Sequence, residues 1–239
     1  MAGHSKWANI KHRKDRADKK KGKIYSRAMK EVISAIRQAG PDPKTNNKLR
    51  LAIQKAKDAN VPNEVIDRNI KKAASPDQQD FVEMTYELYG FGGVGIIADV
   101  MSDNKNRVSS DMRIATNKCG GTIATPGSVA YNFDRKGVIR VAKGDLSEDE
   151  LFLLVSEQGA EDFFLEDELY VVYTPIESFY KVKEAIEQAK GRIEEAELAM
   201  IPKVWVSVSD EDADKNIALI EWLENLDDVD AVYHNMKLS

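Results

Sequence analysis

The stretch GVIRVAKGDLSEDELFLLVSEQGAEDFFLEDELYVVYTPIESFYKVKEAIEQAKGRIEEAELAMIPKV, residues 137–204, decides the fold. Val138-Ile139-Arg140-Val141 has the β-branched content of a strand. Ser147 with Glu150 three residues on is a capping box, in which hydroxyl and carboxylate satisfy the free amides of a helix start. Two short strands are expected over 161–165 and 169–173. Thr174-Pro175-Ile176-Glu177 opens a second helix, with proline in the first turn, where its missing N–H costs nothing. A strand over about 192–201 closes the order βαββαβ, the split-βαβ or ferredoxin-like arrangement.

Downstream, Val204 to Val208 reads as a strand, Ser209 and Asp212 open a helix, and Ala231-Val232-Tyr233 is the last strand. Upstream, Phe81 to Tyr89 alternates with period two, Gly95 to Met101 forms a second strand, and a helix runs from about Lys105 to Lys118. Gly120-Gly121 ends it, and a strand carrying Val129, Tyr131 and Phe133 follows Pro126-Gly127. The upstream part supplies only ββαβ, so the tail is expected to complete it. The expected fold class is α+β: a discontinuous domain, 78–136 plus 205–239, with a second ferredoxin-like α+β domain, 137–204, inserted in it.

Residues 1–77 differ in kind. Tyr25, Ala28, Met29, Val32, Ile33 and Ile36 have the spacing of an amphipathic helix, stopped by Gly40-Pro41-Asp42-Pro43. Leu49, Ala52, Ile53 and Ala56 mark a second helix, and Val65, Ile66, Ile70 and Ala73 a third after Asn60-Val61-Pro62. One apolar stripe each makes a three-helix bundle, whose outer faces are expected to carry Lys30, Arg37, Lys48, Arg50, Lys55, Lys57, Arg68, Lys71 and Lys72. Residues 1–23 have few apolar side chains to offset ordering entropy, and read as a mobile basic arm.

The overall charge of −5 conceals a division. Residues 1–75 hold 20 Lys and Arg against 7 Asp and Glu, a net of +13, and the remaining 15 basic and 33 acidic residues give −18. A basic arm on an acidic body points to a polyanionic partner. Cations attract phosphate at any sequence and release its condensed counterions, while Trp7 and His12 among them suit stacking on an exposed base. The candidate nucleic-acid contacts are Lys6, Trp7, Lys11, His12, Arg13, Lys14, Lys19, Lys20, Lys21 and Lys23.

Other chemistries find little support. Gly90-Phe91-Gly92-Gly93-Val94-Gly95 resembles a phosphate loop, but a strand rather than a helix follows, so a hairpin is the better reading and no cofactor is implied. The carboxylates at 148–150 and 210–212 sit at helix starts, where they complement the dipole, and Asp227-Asp228 reads as a turn, so no metal is expected. Asp103 to Arg107 reads as turn and cap chemistry, with Lys105 and Arg107 free to extend a binding surface. Cys119 is the lone cysteine and fits a small hydrophobe in a reducing compartment. The histidines, His4, His12 and His234, lie near the chain ends and pair with no nucleophile. No apolar run approaches the roughly 18 residues of a membrane span, and no apolar segment follows the basic N-terminus as in a secretory signal. The expectation is a cytoplasmic, non-enzymatic protein with no small-molecule substrate and no membrane partner.

Gly3 to Lys14 (GHSKWANIKHRK) closely resembles the N-terminus of the YebC/PmpR proteins. So do Gly40-Pro41-Asp42-Pro43, Asn47 to Lys57, Asn60-Val61-Pro62, Asp103 to Arg107, Thr125-Pro126-Gly127-Ser128-Val129 and Gly159-Ala160-Glu161-Asp162, over nearly the whole chain. The resemblance implies three domains and a DNA-binding transcriptional regulator. Some members, including the mitochondrial activators of cytochrome oxidase translation, look instead like ribosome-associated factors that assist synthesis through proline-rich stretches. That makes ribosomal RNA the alternative partner. The residues it carries over are Lys6, Trp7, Lys11, His12, Arg13 and Lys14.

Overall fold

The computed structural model describes residues 13–73, 80–144, 146–166 and 168–237, with only the backbone described for 13–21 and 58. Helix α1 spans Arg13–Ala39, α2 Asn47–Asp58 and α3 Asn63–Ala73. The expected arm is therefore helical from Arg13. Lys, Arg and Ala are good helix formers, and extending a packed helix avoids the cost of nucleation. Residues 1–12 lie outside the described residues. Val32, Ile36, Leu49 and Ala56 fill the bundle core. Asn46, 1% exposed, fastens it: its oxygen caps Leu49 N at 3.0 Å, and its amide donates to Ala35 O at 2.7 Å and Gly40 O at 2.8 Å.

The first sheet joins β1 (Val82–Tyr89), β2 (Gly95–Ser102), β3 (Thr122–Ile123) and β9 (Val229–His234) in the order β3-β1-β2-β9. Helices α4 (Lys105–Cys119) and α7 (Asp210–Glu224) share its core, in which Leu88, Ile96, Met112, Leu219 and Leu223 are wholly buried. The glycine segment is the hairpin between antiparallel β1 and β2, turning through Gly92 at φ +66° and Gly93 at φ +82°.

The second sheet has the order β5-β6-β4-β7, from β4 (Phe133–Ala142), β5 (Asp162–Glu166), β6 (Leu169–Thr174) and β7 (Ile193–Pro202), all antiparallel. Helices α5 (Glu148–Glu157) and α6 (Phe179–Gln188) bury Leu151, Val155, Val182 and Ile186 against Ile139 and Val172. Ser147 and Glu150 form the full capping box.

Three expectations need correction. The strand drawn through Val129 and Tyr131 is a loop with a 3-10 turn at Ala130–Asn132, because the Glu87 carboxylate takes the amides of Gly127, Val129 and Ala130 that a sheet would otherwise use. β4 begins at Phe133, where it faces Pro202, and so runs through the boundary expected at 136–137. The strand expected over 204–208 shrinks to β8, Val206–Ser207, pairing parallel with β10, Met236–Lys237.

Candidate nucleic-acid interface

The cations of the helical domain fall into two groups. Lys48, Arg50, Lys57, Arg68, Lys71 and Lys72 on α2 and α3 are exposed. The packing of both helices through their apolar stripes forces these residues outward. A shallow depression between α2 and α3 is lined by Lys57, Asn60, Val61, Pro62 and Asn63. It lies at the N-terminus of α3, where the helix dipole favours an anion. Lys55 is different, since its ammonium lies 2.9 Å from Glu31.

The second group, Lys23, Arg27 and Lys30, faces inward. Spaced three and four residues apart, they form one stripe of α1. Lys23 Nζ donates to Leu226 O at 3.0 Å and Val229 O at 2.6 Å. Lys30 Nζ donates to Met101 O at 2.8 Å and Asp227 O at 3.3 Å, and lies 3.7 Å from Asp230 Oδ1. Arg27 Nε is 3.3 Å from Glu31 and 4.0 Å from Asp230. Lys30, expected on an outer face, is 8% exposed, because the turn after α7 closes over it. Lys23, expected on phosphate, is likewise held by carbonyls at the negative end of α7. Burial lowers the Lys23 pKa, and burial pushes the Asp230 carboxyl up although Lys30, Arg27 and Lys23 oppose it. Pairs near 4 Å attract by about 4 kcal/mol at an intermediate dielectric. Desolvation costs several kcal/mol per ion, so attraction and cost nearly cancel.

Of the other expected contacts, Lys6, Trp7, Lys11 and His12 lie outside the described residues. Arg13, Lys14, Lys19, Lys20 and Lys21 have positions on the first turns of α1, with side chains outside what is described.

In the sheet body the charged groups serve the fold. Asn104 caps α4, accepting from Arg107 N at 3.0 Å. The Arg107 guanidinium meets both Asp228 oxygens at 2.8 and 3.0 Å and Asp103 at 2.8 Å, so it braces the turn instead of extending a binding surface. Burial alone would raise the Asp228 pKa, but Arg107 and Ser102 hold it below the usual carboxylate range. Glu87, 7% exposed, accepts from Gly127 N at 2.5 Å, Val129 N at 2.6 Å and Ala130 N at 2.7 Å. Cys119 packs against the first core, and burial raises its thiol pKa. Among the described residues, no group of three or more His, Cys, Asp or Glu could hold a metal, and no helix is long and apolar enough to cross a membrane.

Sequence reasoning missed Glu87 and Asp230. Glu87 falls on the polar face of an alternating strand, and Asp230 lies in a short acidic run, so neither pattern reveals its partner.

Known proteins share this arrangement. Residues 5–76 match the TACO1/YebC protein N-terminal domain, and residues 81–236 match the TACO1/YebC second and third domain. A probable transcriptional regulatory protein of Protochlamydia amoebophila is 63% identical over 238 residues, covering 100% of this chain and 97% of the relative. One of the same description from Chlamydia muridarum is 57% identical, covering 99% of this chain and 100% of the relative. The crystal structure of a conserved hypothetical protein from Aquifex aeolicus superposes with a TM-score of 0.81 at 41% identity, covering 98% of each chain. The chain belongs to the TACO1/YebC family.

Proposed function

We propose that this chain is a non-enzymatic regulator of transcription that holds duplex DNA by its phosphates through the N-terminal helical domain. The observation that carries this reading is charge separation: +13 over residues 1–75, against −18 elsewhere. The exposed cations of α2 and α3 enlarge the basic surface beyond the candidate residues of the N-terminus and α1. Printed descriptions of the chlamydial relatives as probable transcriptional regulatory proteins agree with it. No helix of the domain carries the Asn, Gln and Arg cluster of a base-reading helix, so phosphate contact is expected to dominate and sequence preference to be weak. The acidic body repels nonspecific polyanion contact, which leaves selection of the site to the basic domain.

The test is anisotropy of a labelled duplex against the full chain, alongside cosedimentation with ribosomes in moderate salt. Saturable, salt-sensitive duplex binding supports the reading. Absence of duplex binding at low salt, or retention on ribosomes without it, contradicts the reading.

A further inference from the structure

Building on that reading, we propose that Lys23, Arg27 and Lys30 are a second phosphate-binding stripe that the turn from Asn225 to Asp230 holds shut, so that nucleic acid and this turn compete for the same cations. Three observations converge. First, positions 16, 20, 23, 27 and 30 of continuous α1 all carry Lys or Arg at alternating spacings of four and three, which places them on one face. The covered stripe thus continues directly from the basic start of the helix.

Second, apart from Glu31 of the same helix, everything that meets the three cations is oxygen from the body. The carbonyls of Met101, Leu226, Asp227 and Val229 and the carboxylate of Asp230 stand where phosphate oxygens would stand. The turn therefore presents the chemistry of the ligand, and its hold is weak because desolvation offsets the attraction. The lowered Lys23 and raised Asp230 pKa values agree with a costly, partly dry contact.

Third, the apolar clusters of the bundle draw only on residues 28–81, and take nothing from either sheet core. A domain seated on its neighbour by polar contacts without a shared apolar core is free to separate when those contacts are exchanged. Nucleic acid that has engaged the first turns of α1 raises the local concentration of phosphate beside the stripe, which favours the exchange.

The experiment compares wild type, Asp230→Asn and Asp149→Asn for duplex binding by anisotropy. Asp149 is exposed at the start of α5, so its variant removes the same charge from a remote site. Asp230→Asn is expected to bind about fivefold tighter, the change that follows from losing one weak competing contact. Asp149→Asn is expected to match wild type, and Asp230→Glu to return toward it. Spin labels at Ala39 and Asp214, in a Cys119→Ser background with Asp230 intact, should move apart when duplex is added. That measurement decides the matter even if Asp230→Asn fails to fold. Equal binding by wild type and Asp230→Asn, equal tightening by both Asn variants, or an unchanged label distance on a bound duplex overturns the competition and leaves the DNA-binding reading standing. No binding by any variant at low salt removes that reading, and the competition with it.

Discussion

In the sheet body Glu87 is answered by three backbone amides and Asp228 by both arms of Arg107, whereas in the helical domain Arg50, Lys57, Arg68, Lys71 and Lys72 make no ion pair with any described residue. The body's buried charges are consumed in holding loops, and the helical domain's exposed charges are left over. Between them lies the stripe of Lys23, Arg27 and Lys30, where leftover cations meet leftover carbonyls. A charge that the fold uses should cost stability when removed. A charge that the fold does not use should cost binding.

The largest effect is expected at Glu87. Glu87→Ala strips the loop at 127–130 of its carboxylate and should cost about 3 kcal/mol, read as a lower midpoint in urea with DNA affinity kept. Its pH dependence has a definite sign. Burial would raise this carboxyl, but the Gly127, Ala130 and Val129 amides outweigh burial and hold it below the ordinary value near 4.5. Its stabilisation is therefore fully present above that value and lost as pH falls through the lower folded one. Proton exchange at these three amides should rise on acidification before the core opens. A loop that stays protected in Glu87→Ala would contradict the assignment.

Arg107→Met comes next. It leaves Asp228, whose side chain is 10% exposed, without its bidentate partner, and should cost about 1.5 kcal/mol while DNA affinity changes little. A large loss of affinity at unchanged stability would move Arg107 from brace to ligand and blur the division between the two regions. The smallest stability effect is expected for Lys71→Ala with Lys72→Ala, within about 0.5 kcal/mol. Here affinity should fall, and the slope of log affinity against log salt should flatten by up to about two units.

How much of this was legible depended on whether a signal was local. The Ser147–Glu150 box, the βαββαβ order of the second sheet and the glycine hairpin were readable because caps, periodicity and turn residues act within a few positions. The loop at Val129 and Tyr131 was not, since its alternation looks like a strand until Glu87, 40 residues from Gly127, claims the amides. Lys30 sits beside the apolar stripe of α1, and helical periodicity reports only what a helix does with its own face. Its partner Asp227 is 197 residues away. The charge division that motivates DNA binding was visible in composition, while the masking of Lys23, Arg27 and Lys30 needed the fold.

The most direct test replaces Lys11, Arg13 and Lys14 with Ala and measures duplex affinity from low to moderate salt. Weaker binding, with a log-salt slope flatter by up to about three units, is the predicted result. Undiminished affinity with an unchanged slope would mean that these cations do not touch phosphate, and that the basic domain has another purpose.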